Sequence, residues 1–173
     1  MSEAMKLGII CGVLIGVILV VILVRWMKTD GSRKCRYDER QELVRGRGFK
    51  YAFFTLMIYN GIYLILNLLF DKMPADPASG IFIGICISVS VYAIYGIWHD
   101  GYLALNENPV RVIVAFICIG LFNVVVTIHS FMEGDIIVDG QLTFHSTNLF
   151  CAVLLLLIAA TILVKRIKTQ KEE

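Results

Sequence analysis

Residues 7–24 read LGIICGVLIGVILVVILV, and residues 25–50 follow as RWMKTDGSRKCRYDERQELVRGRGFK. The first segment holds no charged side chain, and as a helix it would be about 27 Å long, close to the thickness of a bilayer's hydrocarbon layer. The second segment is crowded with cations. An apolar span running straight into a basic segment is the pattern of a membrane helix emerging on the cytoplasmic side. Four further uncharged stretches of similar length follow, at Tyr51 to Phe70, Gly80 to Trp98, Val112 to Phe131 and Asn148 to Val164. The chain therefore reads as one integral membrane domain over residues 1–173, an all-α bundle of five transmembrane helices.

Charge placement sets the expected orientation. Between the spans, one side collects Arg25, Lys28, Arg33, Lys34, Arg36, Arg40, Arg45, Arg47, Lys50, Arg111, Lys165, Arg166, Lys168 and Lys171, and the other keeps only Lys6 and Lys72. Basic segments resist translocation, so the reading is N-terminus outside and C-terminus cytoplasmic. The first span is not read as a cleaved signal peptide, because its apolar run is long and no small-residue cleavage site follows Val24. With 58% hydrophobic and 17% charged residues, the composition is that of a chain whose solvent is lipid.

A net charge of +2 is too small to point to nucleic acid. The cluster Arg33-Lys34-Cys35-Arg36 suits anionic lipid head groups instead. The five cysteines, at 11, 35, 86, 118 and 151, form no CxxC pair, and nothing in the sequence calls for a metal or a cofactor. For catalysis, His99, His129 and His145 each lack a nucleophile at a useful spacing, so no catalytic residue is assigned and the chain is read as non-enzymatic.

Local signals fill in the connections. Asp38-Glu39-Arg40-Gln41 has the spacing of a capping box, which predicts a short cytoplasmic helical elbow to about Arg45, with a Glu42–Arg45 ion pair and Gly46 and Gly48 as a flexible joint into the second span. Asp76-Pro77 and Asn108-Pro109 mark the starts of the third and fourth helices, and Ser146 or Thr147 can cap the fifth. Asp139-Gly140 between short β-prone runs predicts an extracytoplasmic hairpin over 133–145 that sets Ile137 against Leu142.

Within the spans, Asn60, Tyr63 and Asn67 share a stripe, as do Ser88 and Tyr92, and Asn123 and Thr127. Such stripes make either interhelical hydrogen bonds or a small polar cavity among the second to fourth helices. Gly8, Gly12 and Gly16 on the first helix, and Gly80 and Gly84 on the third, give small-xxx-small faces for close helix packing.

The segment Tyr37-Asp38-Glu39-Arg40-Gln41, with Arg45-Gly46-Arg47-Gly48-Phe49-Lys50-Tyr51-Ala52-Phe53-Phe54, resembles a group of small, uncharacterised multi-pass membrane proteins of Gram-positive bacteria. Tyr92 to Trp98 and Leu105-Asn106-Glu107-Asn108 carry the likeness further. The resemblance implies a bacterial plasma membrane and brings no activity with it.

Two functional expectations follow. The leading one is an accessory or regulatory membrane protein that contacts a membrane or cytoplasmic protein through Asp38, Glu39, Arg40, Glu42, Arg45 and Arg47, with the glycine face of the first helix as a second contact or a homo-oligomer surface. The alternative is a small permease or binder of a neutral polar molecule, using the polar stripes.

Overall fold

The computed structural model describes residues 3–30, 34–70 and 72–172, and describes side chains within 14–171. Five helices follow in order: α1 (Glu3–Met27), α2 (Glu39–Leu69), α3 (Pro77–Trp98), α4 (Pro109–Glu133) and α5 (Thr147–Glu172). A two-stranded hairpin, β1 (Ile137–Val138) and β2 (Gln141–Leu142), and a 3-10 turn at Phe144–Ser146 lie between α4 and α5.

The helix starts follow the capping chemistry of the sequence. The Asp38 carboxylate accepts from the Gln41 amide at 2.6 Å while the Gln41 side chain returns to the Asp38 amide at 3.3 Å, a complete capping box. Asp76 caps α3 through the Ser79 amide and Asn108 caps α4 through the Val110 and Arg111 amides, each with proline at the first helical position. Helix α5 starts differently from expectation. The 3-10 turn runs directly into it, and the Ser146 and Thr147 hydroxyls donate back to the carbonyls of Thr143 and Phe144.

The expected elbow is corrected by α2, which is unbroken from Glu39 to Leu69. Gly46 and Gly48 are helical, and no joint separates the capped segment from the span. One helical glycine costs about 1 kcal/mol relative to alanine, too little to stop a helix capped on one side and packed on the other. Gly48 is buried under the rings of Tyr92 and Tyr95, so there the missing side chain serves packing. At 31 residues α2 is about 47 Å long, and its first turns must project beyond a hydrocarbon layer of about 30 Å. The Glu42–Arg45 ion pair does not form either; the Arg45 guanidinium lies 3.9 Å over the Tyr37 ring.

Helix packing follows the order α2, α3, α5, α4, α1, so that α5 stands between α3 and α4. The buried core joins Ala93 and Ile97 of α3, Val112, Ile113 and Ala115 of α4, and Ile158, Ala159 and Ile162 of α5, with Met27 closing it from α1. Helix α1 is an outlier: from Leu14 to Ile22 its large side chains are exposed on all sides, and among its described side chains only those of the last turns reach the core.

Helices α2 to α5 are each long and apolar enough to cross a membrane. Their exposed side chains agree, since Phe53, Ile58, Leu64, Phe122, Val125, Val153 and many like them face outward, which water would not tolerate over so continuous a surface. The chain is a helical, multi-pass membrane protein. One end of the bundle gathers the α1–α2 and α3–α4 connections and the end of α5, and is called the basic end; the other carries the hairpin.

At the hairpin end, Ile137 pairs with Leu142 and Val138 with Gln141, the expected register. Asp139 and Gly140 both take positive φ, 52° and 78°, as a tight two-residue hairpin turn with right-handed strand twist requires. The hairpin is held by the α2–α3 connection: the Leu142 amide donates to the Pro74 carbonyl, the Asp76 amide to the Leu142 carbonyl, both at 2.8 Å, and the Gln141 side chain to the Met73 carbonyl at 2.6 Å.

Candidate functional site at the basic end

Glycine and tyrosine build the seam between α2 and α3. A methyl group at Gly84 would overlap the Tyr59 ring, and one at Gly80 the Tyr63 ring. With the rings seated, the Tyr59 hydroxyl donates to the Gly80 carbonyl at 2.9 Å and the Tyr63 hydroxyl to the Asp76 carbonyl at 3.2 Å. Gly80 and Gly84 lie directly against these rings, which act as the knobs of the seam. Gly16, in contrast, has no atom within 4 Å of where a methyl would sit, and the surroundings of Gly8 and Gly12 lie outside the described residues.

The polar stripes do not assemble into one cavity. Ser88 donates to the Ala52 carbonyl at 2.8 Å, an α2–α3 bond, and Tyr92 packs over Gly48 and 4.5 Å from the Phe49 ring. Asn67, Asn123 and Thr127 each bond a carbonyl one turn earlier in their own helices. Asn60 is half-buried, with no hydrogen-bond partner among the described residues. Because α3 and α5 intervene, the stripe on α4 is not brought against that on α2. Periodicity places residues on one stripe of a helix but cannot say which helix will face it.

What the structure does bring together is the basic end, around Asn106, a residue to which no role is assigned from the sequence. Asn106, in the α3–α4 connection, is buried, and its side chain ties down the segment before α2. Its Oδ1 accepts from the Arg36 amide at 3.1 Å, and its Nδ2 donates to the Lys34 carbonyl at 2.9 Å and to the Asp30 carboxylate at 3.2 Å. The backbone does the same: Thr29 donates to the Asn106 carbonyl, Asn108 to Met27 and Leu105 to Arg36, all at 2.9 Å. Glu107 accepts from the Ala104 amide at 2.9 Å and from the Cys35 thiol. The two connections thus form one clasp.

Side chains from the helices lock onto this clasp. Gln41 donates to the carbonyls of Asp100 and Leu103 at 2.9 and 3.1 Å, fixing the start of α2. Arg111 donates to the carbonyls of Trp26 and Lys28, at the end of α1. Lys165 does so for α3, donating to the Ile97 and Trp98 carbonyls and pairing with Asp100. A cation at a helix C-terminus satisfies orphan carbonyls and meets the negative end of the helix dipole. Asp100 itself adopts a left-handed φ of 61°, the usual way a helix is turned off just past its end.

Burial raises Tyr37 to about 12, against the lowering effect of Arg45, and burial likewise raises Tyr102, so both phenols are neutral hydrogen-bonding groups at physiological pH. Of the six expected contact residues, Asp38 is occupied as the cap of α2 and Arg45 is stacked on Tyr37. Glu39, Arg40, Glu42 and Arg47 remain exposed. Glu39, Glu42, Arg47 and Lys50 border a shallow depression around Leu43 and Gly46, in which Leu43 is 67% exposed. A separate cleft of about 400 Å³ opens between the end of α5, the α3–α4 connection and the first turn of α4. Among the described residues no group of three His, Cys, Asp or Glu side chains could hold a metal ion.

No family model matches the chain, and no curated protein sequence or solved structure matches it.

Proposed function

We propose that this is a non-enzymatic accessory or regulatory protein of a bacterial plasma membrane, lying with its N-terminus outside and its C-terminus in the cytoplasm. All five helices cross the bilayer in this reading, and the exposed face of the first turns of α2 receives a partner protein. The observation that carries it is the division of labour on α2. Gln41, Val44 and Arg45 turn inward to the clasp and Gly48 to the rings of α3, while Glu39, Glu42, Leu43 and Arg47 project outward, holding an apolar residue in the open.

The chemistry of that face specifies the occupant. Glu39 and Glu42 lie farther from the span and Arg47 and Lys50 nearer to it, with the bare Gly46 between them. A matching partner is a cytoplasmic helical segment with an apolar side chain seated over Gly46, acidic groups toward the membrane and basic groups away from it. A photo-crosslinking residue at Leu43 tests this in native membranes. A discrete adduct from Leu43, lost on reversing Glu39 and Glu42 to Lys and absent when the probe replaces inward-facing Val44, supports the reading. Equal adducts from Leu43 and Val44, or none from Leu43, overturn it.

A further inference from the structure

The cleft at the end of α5 is amphipathic from floor to rim. Ile97, Leu103, Pro109 and Ile162 form an apolar floor, and Lys165, Arg166 and Thr169 stand above it. Ile97 and Ile162 belong to the buried core, whereas Arg166 and Thr169 are exposed, so the cleft runs from the apolar interior of the bundle to its basic end. Trp98 marks the level of the boundary, half out of the bundle with the Lys168 ammonium 5.7 Å from its ring, the arrangement of an interfacial belt. Asp100 is the acidic group in the lining, and it is already engaged by Lys165. Lys165 and Arg166 against Asp100 leave the lining with one surplus positive charge.

We propose that this cleft binds the head group of one anionic phospholipid from the surrounding leaflet. The phosphodiester lies against the exposed Arg166 guanidinium, while Lys165, whose ammonium is spent on Ile97, Trp98 and Asp100, and Thr169, whose hydroxyl donates to the Lys165 carbonyl, shape the rim without donating to it. The glycerol and first methylenes cover the apolar floor. At about 400 Å³ the cleft takes a head group but not two acyl chains, which run down the neighbouring surface of α5, where Leu163, Val164 and Ile167 are exposed. A free phosphate ion would use only the rim and leave the floor wet, and a zwitterionic head group would meet no gain from the surplus charge. The site does not depend on the partner face of α2, with which it shares no residue.

Native mass spectrometry of the full-length protein in detergent, titrated with phosphatidylglycerol or phosphatidylcholine, tests the site. One phosphatidylglycerol should be retained in preference to phosphatidylcholine. Arg166→Gln should weaken it about fivefold, the worth of one positive charge near an anionic head group. Thr169→Trp, which fills the cleft from an exposed position, should abolish the preference, while Arg25→Gln, at an exposed basic residue outside the cleft, should leave it unchanged. Three outcomes overturn the proposal: equal retention of both lipids, an equal loss in Arg25→Gln, or displacement by inorganic phosphate as effective as by lipid. If Thr169→Trp lowers the melting temperature, Arg166→Gln against Arg25→Gln decides alone.

Discussion

The Asn106 side chain holds three residues of the segment before α2 at once, and its identity is constrained atom by atom. Its oxygen must face the Arg36 amide and its nitrogen the Lys34 carbonyl and Asp30. Asn106→Ala removes all of these and should cost about 2–3 kcal/mol, the range for stranding partly buried polar groups. Asn106→Asp keeps the acceptor but turns a carboxylate toward Asp30, and should be at least as damaging. Thermal unfolding in detergent, with protease cleavage within 34–38 as a local readout, checks both. Glycines supply a second residue-scale contrast. Gly84→Ala drives a methyl into the Tyr59 ring, and an overpacking cost of about 1–3 kcal/mol exceeds the gain of about 1 kcal/mol in helix propensity. At Gly16 nothing is struck, so Gly16→Ala should raise the melting temperature slightly while Gly84→Ala lowers it. Nothing in the sequence distinguishes these glycines, since both stand in small-xxx-small patterns. The difference lies in whether another helix arrives, which is a property of the whole bundle.

At the scale of elements, the legible features were those written in neighbouring residues. Asp38 with Gln41, Asp76 with Pro77, Asn108 with Pro109 and Asp139 with Gly140 each carry their geometry within a few positions, and each forms as its chemistry dictates. Two glycines beside a capped segment have the local chemistry of a hinge, and what makes Gly48 a packing residue instead is the space that the Tyr92 and Tyr95 rings of α3 require. Continuity of α2 makes a specific prediction at Gly46, where a methyl meets nothing within 4 Å. Gly46→Ala should stabilise the protein by about 0.5–1 kcal/mol through helix propensity alone, whereas Gly48→Ala should not. A hinge at this point would give no gain, so an unchanged melting temperature for Gly46→Ala contradicts a continuous helix. The start of α3 is sensitive to acid. The Ser79 amide, the largest influence on Asp76, holds its carboxyl below the ordinary carboxylate value. Such a group contributes stability that is present above the unfolded value, near 3.9, and is lost as pH falls through the lower folded value. Melting temperature should therefore decline below about pH 4, and Asp76→Asn, which retains a capping oxygen, should flatten that decline.

For the whole molecule, membrane-length helices and a strongly biased charge distribution are legible in the sequence, but helical periodicity holds no information on which helices will be neighbours. That α5 inserts between α3 and α4 follows from surfaces such as Gly120 meeting Leu156, and from Lys165 reaching the end of α3, which are long-range fits. The same fits explain why cations expected only to fix orientation also have structural work: Arg111 and Lys165 tie the ends of α1 and α3 to the clasp. Clasp and orientation are therefore linked, because the basic end cannot be split between the two sides of a bilayer without breaking it. Native cysteines make this testable. Cys35 is exposed in the clasp, Cys86 is buried, and Cys118 and Cys151 lie within apolar helices. A membrane-impermeant maleimide should leave Cys35 unlabelled in intact cells and label it after permeabilisation, with Cys35→Ser removing that signal. Placing a cysteine at Val138, exposed on the hairpin at the opposite end, should give the reverse pattern. Labelling of Cys35 in intact cells would invert the molecule and place the α2 face outside the cell, while labelling of both sites from one side would show that the two ends are not separated by the bilayer.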